Sequence, residues 1–145
     1  MKHSFSFFLA ALSLTLLSSC TKVESDDPAD DFVGTYNVSV IENVVWGYDS
    51  GTLNDNGTFI ISKLSANRVQ VRGYISTEGE VVGSMVYFEG SKSSDSEGYF
   101  TTSYGPGTLS GNVLTFTANQ TGQLASNGVL YPYRNTSYFT AIKQN

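Results

Sequence analysis

From residue 32 to the C-terminus the chain never lets a helical face develop. No window of a dozen residues keeps apolar side chains at three- and four-residue spacing, and glycines or paired Ser and Asn interrupt every candidate. Alternation takes its place, and alternation with period two means strands. Phe32, Gly34, Tyr36, Val38 and Val40 share one face of a first strand that runs on toward Trp46, and Phe59 and Ile61 alternate in a second. Val69, Val71, Gly73 and Ile75 alternate with Arg68, Gln70, Arg72 and Tyr74 in a third.

The punctuation between these runs is turn chemistry. Asn54-Asp55-Asn56-Gly57 reads as a tight hairpin, since Asn-Gly supplies the positive φ such a turn needs. Ser65-Ala66-Asn67 and Glu78-Gly79-Glu80 read as the next two turns, and residues 81–88 as a strand covered on both faces. Residues 91–98 are expected to form an exposed loop before a strand at 99–104, and Gly105-Pro106-Gly107 breaks the chain. Leu109 leads through Ser110-Gly111-Asn112 into a strand at 113–120. Residues 122–128 read as polar and loose, and strands at 129–133 and 136–142 close the chain.

About eight or nine strands joined by short turns specify an all-β fold, an antiparallel up-and-down β-barrel of about eight strands, with a β-sandwich as the alternative. Closure favours the barrel, because it removes the open edges a sandwich would keep. The last strand is then expected to pair back onto an early one.

Ahead of this body, Lys2 and an apolar run at residues 5–17 end in Leu17-Ser18-Ser19-Cys20. That order is a secretory signal, and the four residues resemble a bacterial lipobox. The resemblance implies cleavage of residues 1–19 and acylation of Cys20, the only cysteine. Two or three acyl chains, at about 0.8 kcal/mol per buried CH2, anchor durably. The expected address is the outer membrane, lipid-anchored, facing the periplasm or the cell surface.

Cleavage also removes His3, the only histidine. A mature chain without histidine or free thiol cannot build a Ser-His-Asp or Cys-His catalytic site, a His or Cys metal centre, or a disulfide framework. No catalytic residue, metal ligand or cofactor is therefore assigned. Glu78, Glu80 and Glu89 offer carboxylates for a glycosidase pair, but turn solubility explains Glu78 and Glu80 better.

Residues 20–31 carry Glu24, Asp26, Asp27, Asp30 and Asp31 around Pro28 and read as a lipidated, disordered acidic tether. The folded domain is expected over residues 32–145. Its charges nearly balance, which speaks against nucleic acid as a partner.

Phe32-Val33-Gly34-Thr35-Tyr36 resembles the start of the first lipocalin strand, with Tyr36 where that family carries tryptophan, and the layout is similar to small Gram-negative outer-membrane lipoproteins with lipocalin-like barrels. The resemblance implies a barrel that binds a small apolar or glycan ligand. Trp46 and Tyr48, beside Gly47, and Tyr131 and Tyr133, flanking Pro132, are the candidate ligand-binding residues, because they sit where strands give way to loops. A second class of function stays open: a protein-interaction module, such as an enzyme inhibitor or an assembly accessory, acting through aromatic loops.

Overall fold

In the computed structural model, which describes residues 27–95 and 98–145, one short helix, α1 (Ala29–Phe32), precedes ten antiparallel strands. The lipobox, Cys20 and the first part of the acidic segment lie outside the described residues. The strands are β1 (Gly34–Trp46), β2 (Asp49–Ser65), β3 (Arg68–Gly73), β4 (Thr77–Val82), β5 (Met85–Phe88), β6 (Ser91–Asp95), β7 (Gly98–Tyr104), β8 (Gly107–Ser110), β9 (Val113–Ser126) and β10 (Val129–Lys143). Eight of them close in a ring, β1-β2-β3-β4-β5-β8-β9-β10 and back to β1. The closing ladder runs from Tyr36↔Lys143 to Trp46↔Tyr133, so the last strand does return to the first. The hairpin β6-β7 is inserted between β5 and β8 and attaches to β9 alone.

The strands differ in length, and that difference shapes the molecule. Near its start, β9 pairs with short β8 through residues 113–115; beyond residue 118 it pairs with β7 instead. Likewise β2 meets β3 only from Phe59 onward, while its first half pairs with β1 alone. The lower half is therefore a closed barrel, and the upper half is an open curved sheet in the order β2-β1-β10-β9-β7-β6.

Inside the closed half, every second residue delivers a large side chain. Tyr36, Val38, Val40, Phe59, Ile61, Val69, Val71, Val86, Leu114, Phe116, Phe139 and Ala141 are all buried. Phe116 and Phe139 stack at 4.4 Å with planes 7° apart, and Phe88 meets Phe116 edge-on at 4.9 Å. An eight-stranded barrel is just narrow enough to be filled this way.

Helix α1 closes the base. Ala29 and Phe32 are fully buried, the Ala29 N–H donates to the Ala66 carbonyl, and Tyr36 Oη–H donates to the Phe32 carbonyl at 2.8 Å. Lys63 pairs with Asp27 and Asp30, and Lys143 donates to the Asp31 carbonyl. The acidic segment thus joins the fold before residue 32, since two apolar residues, Ala29 and Phe32, lie within one helical turn and both find the core.

Burial pushes the Tyr36 phenol up to about 12 from 10.0. The unfolded chain releases this proton first, so stability must fall as pH rises between those values. The loss expected from Tyr36 alone is about 2–3 kcal/mol. Urea unfolding followed from about pH 9 to about pH 11.5 should show it, with a shallower decline in Tyr36→Phe; identical slopes would overturn the assignment.

Several expected turns are strand. Asn54-Asp55-Asn56-Gly57 lies inside β2, paired residue for residue with β1 at Ile41, Val40, Ser39 and Val38. The chain reverses earlier, at Gly47-Tyr48, where Gly47 has φ +59° and Trp46 faces Asp49. Gly57 instead makes room: a Cβ there would stand 2.5 Å from the Tyr74 ring. Glu78-Gly79-Glu80 is likewise within β4, where a Cβ on Gly79 would come 2.8 Å from Val86. The true reversal is Gly83-Ser84, which splits the expected single strand at 81–88 into β4 and β5. Residues 91–95 pair with β7 as strand β6 despite their polarity, and the side chains of residues 91–94 are exposed to water. Residues 122–128 hold the last third of β9 and an Asn127-Gly128 turn, both residues at positive φ. Strand β10 runs unbroken through Pro132.

Candidate functional site

The inward face of β1 stays apolar from Tyr36 to Val40 and then meets Glu42 before returning to Val44 and Trp46. Its neighbour β10 behaves alike: Ala141 and Phe139 are followed inward by Ser137, Asn135, Tyr133 and Tyr131. On β9 the matching row is Leu114, Phe116, Ala118, Gln120, Gly122 and Leu124. The polar and aromatic positions begin where the ring opens. What would be an exposed core face becomes the wall of a cleft.

The floor of that cleft is a throat of about 250 Å³. Glu42, Gln120, Asn135 and Ser137 supply polar groups, and Tyr74, Tyr104 and Phe139 supply aromatic rings. Tyr74 comes from the β3–β4 connection, is held by its N–H to the Thr58 carbonyl, and lays its ring over Gly57. Its hydroxyl donates to Asp55 Oδ2 at 3.0 Å. Burial first, then the bond to Asp55 and the negative charge of Glu42, push this phenol up to about 12. Tyr133 is raised by burial and by Glu42, partly offset by its bond with Asn135. Two phenols, one on the β3–β4 connection and one on β10, thus sense the same carboxylate. Asn135 and Ser137 are buried and bonded to each other at 3.5 Å, and among the described residues no buried side-chain nitrogen or oxygen lacks a partner.

Above the throat, Tyr133 and Phe100 meet edge to face at 5.3 Å. Gly122 lies directly between them in register, and any side chain there would strike the Tyr99 carbonyl, so glycine is what lets β7 approach β9. Beyond this pair a second pocket of about 350 Å³ opens at the sheet's far end, lined by Trp46, Gly47, Tyr48, Asp49, Leu124, Ser126 and Tyr131.

Of the four aromatic candidates, Trp46, Tyr131 and Tyr133 fall on one inward face, and Trp46 faces Tyr133 across the ladder. Tyr48 is the fully exposed tip of the β1–β2 turn, at the rim of the outer pocket. Sequence reading missed the throat, although Glu42 continues the Tyr36-Val38-Val40 series and Asn135 and Ser137 continue the series of Phe139 and Ala141. A polar residue at core parity was the available signal. Glu78 and Glu89 lie outside the cleft, both paired with Arg68, at 2.8 and 2.6 Å.

Fold and site together define an antiparallel barrel that is filled below and opens above into an aromatic and carboxylate-lined cleft. No protein-family model matches the chain, and no curated protein matches it either.

Proposed function

We propose that the protein is an exported lipoprotein, anchored in the outer membrane through Cys20 and facing the periplasm or the cell surface, whose lipocalin-like barrel holds a small glycan in the open cleft. The observation that carries this reading is the inward row from Tyr131 to Ser137, in which two aromatic rings, Tyr131 and Tyr133, lead into two hydrogen-bonding groups, Asn135 and Ser137. Six residues of strand span roughly 20 Å, long enough for a short chain of linked rings. Sugars need that mixture, because each ring has an apolar face for an aromatic side chain and hydroxyls for amides and carboxylates. A wholly apolar ligand would cover Glu42, Gln120, Asn135 and Ser137 without replacing their water, which costs about 1–3 kcal/mol per stranded group.

Trp46 is the only tryptophan and lines the outer pocket, so its emission reports on occupancy. Titration with N-acetylated chitotetraose is expected to give a saturable shift that Tyr131→Ala and Tyr133→Ala weaken, while palmitate gives none. A saturable response to palmitate alone would overturn the glycan reading. The address is tested separately: Cys20→Ala should abolish labelling by a clickable fatty acid and move the protein out of the membrane fraction, and unchanged fractionation would sink the anchor.

A further inference from the structure

The charges facing the cleft are all of one sign. Glu42 lines the throat, Asp55 borders it through Tyr74, and Asp49 lines the outer pocket. The cations of the described residues are all directed elsewhere. Lys63 and Lys143 serve the base, against Asp27, Asp30 and the Asp31 carbonyl. Arg68 is held by Glu78 and Glu89. Arg72 lies opposite outward-facing Ile60, Arg134 opposite outward-facing Val45, and Lys92 opposite Thr101, one residue out of phase with the throat residue Thr102. The body is nearly neutral overall, yet among the described residues the charges that line the cleft are carboxylates and the cations lie elsewhere.

Around Glu42 the throat also carries the two things an ammonium group needs after it leaves water. Tyr74 and Tyr104 line it with aromatic rings, and the face of such a ring, with its negative quadrupole, attracts a cation. The side chains of Gln120, Asn135 and Ser137 offer oxygen acceptors for N–H donors. An anionic sugar would meet Glu42 in the throat and Asp49 in the outer pocket, with no compensating cation among the residues that line either.

Resting on the reading of the cleft as a glycan site, we infer that its ligand is an amine-bearing oligosaccharide, with an ammonium group seated in the throat against Glu42 and the neighbouring rings packed along Tyr133, Trp46 and Tyr131. Uronic-acid oligomers are excluded by the same field.

The test compares probes of the same ring geometry and different charge on the full domain, read by Trp46 emission. Chitosan tetramer, with free amines, is expected to bind roughly tenfold or more tightly than its N-acetylated counterpart below the amine pKa, and to lose that margin when the amines are deprotonated or when salt is raised. Glu42→Gln, checked for an unchanged melting temperature, should remove most of the margin between the two tetramers, because the amide keeps hydrogen-bonding capacity and loses the charge. Equal binding of the two tetramers, or preference for a uronic-acid tetramer, would overturn the charge assignment while leaving the cleft a glycan site. If neither tetramer binds and a lysine-rich peptide does, the glycan reading itself fails and the cleft belongs to a protein partner.

Discussion

Ending the chain after Tyr133 is expected to abolish cooperative thermal unfolding. The deletion removes the part of β10 that serves two ladders at once, from Val45↔Arg134 to Tyr36↔Lys143 on one side and from Arg134↔Thr121 to Ile142↔Val113 on the other. It also removes Phe139 and Ala141 from the core and leaves Phe116 without its stacking partner. Burial of one large apolar side chain is worth about 1.5–3 kcal/mol, and each lost ladder bond adds a net 0.5–1.5 kcal/mol or so. Together these exceed the roughly 5–15 kcal/mol that separates a folded domain from its unfolded chain. The ring would also be left with two long unpaired edges, on β1 and β9, so association of the truncated chain should accompany the loss. Differential scanning calorimetry decides it: a transition near the parent temperature would make the closing strand an accessory to an open sheet.

That closure could be anticipated, because the alternation of Tyr138 and Thr140 with Ser137, Phe139 and Ala141 is a strand pattern whatever surrounds it, and a meander of hairpins returns its last strand to its first. The misplaced turns at residues 54–57 and 78–80 share one cause. Glycine was read as a signal for turns, and in this chain it is often a signal for close approach. Gly57 seats the Tyr74 ring, Gly79 clears Val86, and Gly122 lets β7 lie against β9. Each consequence is tertiary, invisible until the partner strand is known. The misplacement of the first hairpin followed directly: Asn56-Gly57 has the stronger local turn preference, but reversal at Gly47-Tyr48 pairs β1 with β2 from Trp46↔Asp49 to Gly34↔Ile61 and sets Phe59 opposite Tyr36 in the core. Pairing along the full length of β1 outweighs the local preference of one dipeptide.

The site was legible in its rim and not in its depth. Trp46 and Tyr131 stand beside turns, where an aromatic residue draws notice. Glu42, Tyr74 and Asn135 sit mid-strand or in a connection, and only the register brings them together. A strand's inward parity is fixed along its length, so these residues face inward whether or not there is core to fill. What turns them into a cleft is the shortness of β3, β4, β5 and β8, which end before the long strands do.

Phe116→Ala separates the filled half of the barrel from the open half. Phe116 is 4% exposed, stacks on Phe139, and meets Phe88, Phe59 and Tyr104 at ring-centre distances from 4.9 to 6.4 Å. Those rings come from four different elements and are held by strand ladders, so they cannot collapse fully into the space left behind. The expected cost is therefore at the full large-to-small value for a buried aromatic, about 3–5 kcal/mol. For a domain of this size that lowers the melting temperature by roughly 12 °C or more. Phe116→Leu keeps most of the volume and should cost less than about 1.5 kcal/mol. Binding should respond differently. Phe116 lies one inward position below Ala118 and does not line the throat, so well below its melting temperature Phe116→Ala should bind chitosan tetramer within about twofold of the parent, a change of under about 0.5 kcal/mol. Phe139→Ala removes a side chain shared by both halves and should lose stability and affinity together. If Phe116→Ala costs less than about 1 kcal/mol, the lower barrel is not the packed block that its ring geometry describes, and its interior would have to be reconsidered as ligand space.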